Sequence, residues 1–105
     1  MWIIRILFSI ERTKGGTVTF TATNQTLKGN IVLQESSSSV TLNLVNSSLS
    51  GAVNTTNKGT AVVTLDANSS WEVTGGSYLS GLTNNGGTIT GTGKVYVNSA
   101  AVYTP

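Results

Sequence analysis

Between Gly16 and Asn98 the chain alternates apolar and polar residues in short runs, separated by clusters of Gly, Asn and Ser. In Thr17-Val18-Thr19-Phe20-Thr21-Ala22-Thr23 the apolar members Val18, Phe20 and Ala22 share one face and four threonines share the other. This period of two is that of a half-buried β-strand, and the β-branched residues disfavour helix. Related runs return at Val40-Thr41-Leu42, Val63-Thr64-Leu65, Thr88-Ile89-Thr90 and Val95-Tyr96-Val97. The pattern predicts an all-β chain.

Laid on itself at a shift of 22 residues, the sequence matches Val18-Thr19 with Val40-Thr41, Asn24 with Asn46, Leu27 with Leu49 and Gly29 with Gly51. Phe20 then faces Leu42, and Ile31 faces Val53. A second shift of 22 continues through Asn68 and Trp71, whereas Val63-Thr64-Leu65 meets Val40-Thr41-Leu42 only after a one-residue slip. Three near-copies result, over 18–34, 40–56 and 62–78. A repeat this short cannot bury its own apolar face and must stack on its neighbours. The expected architecture is a single-stranded parallel β-helix (a β-solenoid) with about 22 residues per coil and four to five coils over 15–105. Parallel strands of successive coils lie about 4.8 Å apart. Leu27, Leu49 and Trp71 should therefore form one inner column, and Asn24, Asn46 and Asn68 a column at a turn that tolerates left-handed backbone. Ser36 to Ser39 reads as a turn, and the last strands as a final coil with a terminal cap.

Residues 1–14 stand apart. Met1 to Ile10 is apolar but interrupted by Arg5, with no basic region before it and no Ala-x-Ala site, which fits a signal peptide poorly. Ten residues fall short of the roughly 20 needed to span a membrane. The segment is expected to be a strand or short cap over the first coil, with no membrane span.

Composition narrows the function. Charged residues make up 10% of the chain, against roughly 25% in ordinary domains, so Ser, Thr, Asn and Gly solvate the surface. Six basic residues oppose four acidic ones. Arg5, Arg12 and Lys14 sit together, while Lys28, Lys58 and Lys94 are isolated and build no patch for several phosphates, so no nucleic-acid partner is expected. With neither Cys nor His, disulfides, most transition-metal sites and the commonest general base are removed.

The acids are Glu11, Glu35, Asp66 and Glu72. Acid–base catalysis needs two whose environments separate their pKa values. Asp66 and Glu72 are the nearest pair, and alternation points both outward on different stretches of the coil. A nucleophilic serine lacks a base and a Gly-x-Ser-x-Gly elbow. No enzyme, metal or cofactor is expected. Aromatic rings are the usual platform for sugars, and the candidates are Tyr96, expected to face outward between Val95 and Val97, together with Tyr78 and Trp71; Trp71 also fits the core column. The threonine alternations suggest a water-ordering surface, but at 22 residues Thr21 and Thr23 meet Asn43 and Val45, so β-propensity explains them. Asn-x-Ser/Thr triplets occur at Asn24, Asn46, Asn54 and Asn68, at the rate expected in such a composition.

The stretches Gly16-Thr-Val-Thr-Phe-Thr-Ala-Thr-Asn-Gln-Thr-Leu-Lys-Gly29, Ser39-Val-Thr-Leu-Asn-Leu44, Ser48-Leu-Ser-Gly-Ala-Val-Asn54, Val63-Thr-Leu-Asp-Ala-Asn-Ser-Ser-Trp71 and Lys94-Val-Tyr-Val-Asn98 resemble the C-terminal part of bacterial secreted right-handed β-helix carbohydrate-binding domains. Autotransporter passengers and adhesin-like repeats share these motifs loosely. The resemblance implies a right-handed coil, a secreted or cell-surface location and a cellulose-like or pectin-like polysaccharide partner. The family's acidic calcium sites lie in upstream coils without a counterpart here, so calcium binding and individual site residues are not carried over. The resulting expectation is a non-catalytic carbohydrate-binding or adhesin-like segment. Purely structural stalk or passenger coils come second, and a degraded polysaccharide lyase third. Exposed strand edges at the ends of such a stack favour end-to-end self-association.

Overall fold

A computed structural model describes residues 3–5, 8–10, 17–33 and 37–105. Within them the chain forms fourteen β-strands and no helix. Short alternating runs cannot sustain more than a few residues before a Gly or Asn turn, so each coil breaks into three walls. The first wall contains β3 (Thr17–Thr23), β6 (Ser39–Val45), β8 (Thr60–Leu65) and β11 (Gly81–Asn84), in the order β11-β8-β6-β3. The second contains β1 (Ile3–Arg5), β4 (Thr26–Lys28), β7 (Ser48–Gly51), β9 (Ser70–Val73) and β12 (Thr88–Gly91), stacked in chain order.

The third wall pairs β2 (Phe8–Ile10) with β5 (Ile31–Leu33), and β10 (Ser77–Leu79) with β13 (Val95–Val97). An isolated bridge from Ile31 to Val53 and a bond from Tyr78 N to Val53 O (3.1 Å) connect these pairs. All pairings between coils are parallel, which makes the chain a β-solenoid of about four coils. Among the described strands only β14 (Ala100–Tyr103) reverses direction, running antiparallel to β13, with the Tyr103 hydroxyl donating to Gly91 O at 2.8 Å.

Where the first fourteen residues are described they are strands, β1 and β2, which pair in parallel with β4 and β5 as rungs of the second and third walls. Arg12, Lys14, Glu11, Glu35 and the opening of the Ser36–Ser39 turn lie outside the described residues.

The 22-residue step holds where it was read. Val18 pairs with Val40, Leu27 with Leu49 and Leu49 with Trp71. The slip in the third copy runs the other way from the sequence alignment. Val40 pairs with Ala61 and Leu42 with Val63, a step of 21. Either slip preserves alternation, so apolar patterning alone does not choose between them. The observed one leaves an extra residue in the next turn, and Asp66 uses it as described below. The last coil is shorter, with Val62 pairing with Gly81, Ser70 with Thr88 and Tyr78 with Tyr96.

Inward residues of the three walls merge into one dry column. Leu42, Leu44, Val53, Val63, Leu65, Val73 and Val95 are all buried. Trp71 is fully buried between Leu49 and the partly buried Ile89, and its indole Nε1 donates to Gly51 O at 2.9 Å. Where the second wall meets the next corner the backbones of adjacent coils almost touch, and a Cβ on Gly51 would strike the Gly29 carbonyl. Only glycine fits such an approach.

Candidate functional site

The turn from the first wall to the second is the most elaborate part of the surface. Asn24 and Asn46 bend the chain there with φ of 56° and 48°, a left-handed conformation that asparagine tolerates better than most residues. Their side chains are linked along the stack, Asn46 Nδ2 donating to Asn24 Oδ1 at 2.7 Å. Asn68 continues the exposed column, but its φ is not positive, because the extra residue lengthens its turn.

Beneath the asparagines runs a column of buried serines. Ser47 Oγ accepts from Gln25 N (3.0 Å) and lies 2.9 Å from Val45 O and 3.1 Å from Ala22 O, either of which takes its proton. Ser69 Oγ accepts from Ser47 N (3.2 Å) and lies 2.7 Å from Asp66 Oδ1 and 3.0 Å from Leu44 O. Each hydroxyl thus bonds backbone groups of the coil beneath it and one group of its own coil, the Val45 carbonyl for Ser47 and the Asp66 carboxylate for Ser69, as buried polar groups require. Asp66 completes the corner. Its carboxylate accepts from Asn46 N through both oxygens (3.2 and 3.1 Å) and from Asn68 N at 3.0 Å. The Ser69 hydroxyl, followed by the amides of Asn46 and Asn68, holds the Asp66 pKa below its ordinary value, since donors stabilise the ionised form.

Outside this ladder lies an open groove of about 310 Å³ that runs along the solenoid axis. Its first rung is Asn24, Gln25 and Thr26, its second Asn46, Ser47 and Ser48, and its third Asn68 and Ser70. Every lining residue is an amide or a hydroxyl. Thr26, Ser48 and Ser70 stand in register on the outer face of β4, β7 and β9.

The aromatic candidates fall elsewhere. Tyr78 and Tyr96, both half-buried, stack on one another with ring centroids 5.2 Å apart and planes within 8°. Each covers one face of the other, so a sugar does not insert between them. Trp71 is withdrawn as a sugar platform: its ring is sealed in the core, and its one polar atom is bonded to Gly51. The structure therefore brings Tyr78 and Tyr96 together and keeps Trp71 apart from them.

The acids do not form a pair. Asp66 lies in the corner, whereas Glu72 is exposed on the outer face of β9 and accepts from Ser50 Oγ at 2.6 Å. Among the described residues no group of three His, Cys, Asp or Glu gathers. Of the Asn-x-Ser/Thr asparagines, Asn24, Asn46 and Asn68 are exposed on one line. Asn54 is buried, donating to Tyr78 O (3.0 Å) and accepting from Lys58 N (3.2 Å). Sequence reading found the asparagine column but missed the serines behind it, because a buried serine and a surface serine are the same letter. The recurrence of Ser47 and Ser69 at 22 residues was the available signal.

The fold and the corner define a parallel β-solenoid with an uncharged axial groove. No family model, curated protein or solved structure matches the chain.

Proposed function

We propose that the chain is a non-catalytic, extracellular polysaccharide-binding segment that takes a neutral glycan chain along the groove of the asparagine corner. The observation that carries this reading is the lining itself: three rungs of amides and hydroxyls, open along the axis, without a charged side chain. Coils about 4.8 Å apart offer a fresh set of donors and acceptors at about the spacing of sugar rings in an extended polymer. The nearby Asp66 carboxylate disfavours a polyanion, so a cellulose-like chain suits the groove better than pectate. Binding here relies on hydrogen bonds rather than ring stacking, because no aromatic side chain lines the groove.

Retention on insoluble cellulose and on pectin tests the reading. Retention on cellulose, weakened in Thr26→Ala/Ser48→Ala, is the expected result. Absence of retention on any glycan by the folded protein removes the binding claim.

A second reading, structural coils of a stalk or passenger, is favoured by the same corner. Its internal ladder from Asn46 to Asn24 and from Ser47 to Ser69 ties coil to coil whether or not a ligand is present. Folded protein retained on no glycan supports this alternative.

A further inference from the structure

The turn that joins β11 to β12 carries the pair Asn85-Gly86, and both residues are exposed. Among the described residues neither the Asn85 side chain nor the Gly86 amide has a hydrogen-bond partner. An asparagine amide carbon is an electrophile, and the next main-chain nitrogen reaches it by closing a five-membered ring. The attack is intramolecular, so both reactants are already held together. Two obstacles usually slow it. One is a side chain on the following residue, which shields the nitrogen; the other is a hydrogen bond that engages it. Glycine has no side chain, and at Gly86 the fold leaves the nitrogen unengaged. Asn85 is the one asparagine of the chain that precedes a glycine.

Elsewhere the fold holds the competing sites back. The nitrogen after Asn68 belongs to Ser69 and donates to Asp66 O at 3.2 Å; that after Asn57 belongs to Lys58 and donates to Asn54 Oδ1 at 3.2 Å. The nitrogens after Asn24 and Asn46 donate to the buried serine column. Asn84 gives its side-chain amide to Gly87 O (3.0 Å), and the nitrogen after it donates to Leu65 O (2.9 Å). Asn98 is followed by Ser99, whose side chain shields the attacking nitrogen.

We propose that Asn85 is a self-modifying site, at which the chain converts its own amide to aspartate and isoaspartate. The Gly86 nitrogen attacks Asn85 Cγ; the N–Cγ bond forms, the Cγ–Nδ2 bond breaks, and Nδ2 leaves as ammonia with the Gly86 amide proton. Water then opens the succinimide. Addition at Cγ gives aspartate, and addition at the Asn85 main-chain carbonyl carbon gives isoaspartate, whose main chain runs through Cβ and Cγ. Either product is ionised at neutral pH. The two differ in what they do to the fold. The turn is pinned at both ends, by Asn85 N to Leu65 O (2.9 Å) and by Thr88 N to Ser69 O (3.0 Å). Between the pins it lies close on the Asp66–Ser69 turn, where a Cβ on Gly87 would meet Asp66 O at 2.8 Å and Ser69 O at 2.9 Å. Isoaspartate adds a main-chain atom to this span, so a pin yields and the last coil loosens. Aspartate keeps the chain length and the coil.

The proposal does not depend on the groove, whose lining does not include Asn85. Its test is ageing of the whole folded chain in mildly alkaline buffer, followed by ion exchange, peptide mapping and enzymatic methylation of isoaspartate. The formal net charge of +2 is expected to fall by one with release of ammonia, at Asn85 before any other asparagine. The isoaspartyl fraction is expected to unfold at lower urea than the aspartyl fraction, which should match Asn85→Asp. Asn85→Gln, which would have to close a larger ring, is expected to keep both fold and charge. In urea the Ser69 and Lys58 amides are released, and the lead of Asn85 over Asn68 and Asn57 is expected to narrow. No acidic species from the wild type, the same species from Asn85→Gln, earlier modification at another asparagine, or an unchanged lead in urea overturns the proposal. Equal urea midpoints for the two fractions overturn the loosening of the last coil.

Discussion

Tyr78 and Tyr96 lie eighteen residues apart in sequence and ring on ring in space, 5.2 Å between centroids and nearly parallel. Offset or parallel aromatic pairs contribute about 0.5–1.5 kcal/mol beyond the area they bury. A double-mutant cycle with Tyr78→Ala and Tyr96→Ala, followed by urea unfolding, should return a coupling energy in that range. A coupling near zero shows that the rings do not stack in solution.

Among the described residues Trp71 is the largest fully buried side chain. Truncating a buried Trp costs about 3–5 kcal/mol, a large share of the roughly 5–15 kcal/mol that holds a domain together. Trp71→Ala is expected to unfold the chain or to lower its urea midpoint severely. A loss below about 1 kcal/mol contradicts the burial, since large core truncations do not cost so little.

These columns were legible in the sequence because the second wall keeps its 22-residue step through Leu27, Leu49 and Trp71. The tyrosine pair was not, because the final coil closes in eighteen residues and breaks the alignment that would have superposed them. The direction of the slip at Ala61 to Leu65 was also illegible: strand alternation accepts either register, and the choice rests on the turn that Asp66 caps. The groove was half visible, as a column of Asn24, Asn46 and Asn68. The serines behind it gain their meaning only from burial.

Gly51 tests how closely the coils approach. A methyl group there meets the Gly29 carbonyl rather than a movable side chain, and overpacking of this kind costs typically about 1–3 kcal/mol. Gly51→Ala should destabilise by at least that much in thermal or urea unfolding. Gly76→Ala, where the nearest atoms are in the Tyr78 ring at 3.7 Å, should cost clearly less. Equal effects contradict the close approach.

Asp66 gives the corner a pH dependence of defined sign. Its folded pKa is lowered by Ser69, Asn46 and Asn68, below the unfolded value of about 3.9. The native state therefore prefers the carboxylate. Its contribution is fully present above the unfolded value and is lost as pH falls through the folded one. Urea midpoints measured from pH 7 down to pH 2 should fall on the acid side, and Asp66→Asn should flatten that fall. An unchanged acid limb in Asp66→Asn shows that the corner carboxylate is not held by these donors.

The account as a whole depends on which side chains meet across the dry column, and methyl-to-indole NOEs read that directly. With Leu-methyl and Trp labelling, Leu49 should show cross-peaks both to Leu27 and to the Trp71 ring, while Leu27, two rungs from Trp71, shows none to the indole. A direct Leu27–Trp71 cross-peak, or a missing one between Leu49 and Trp71, contradicts the stacking on which the groove is built.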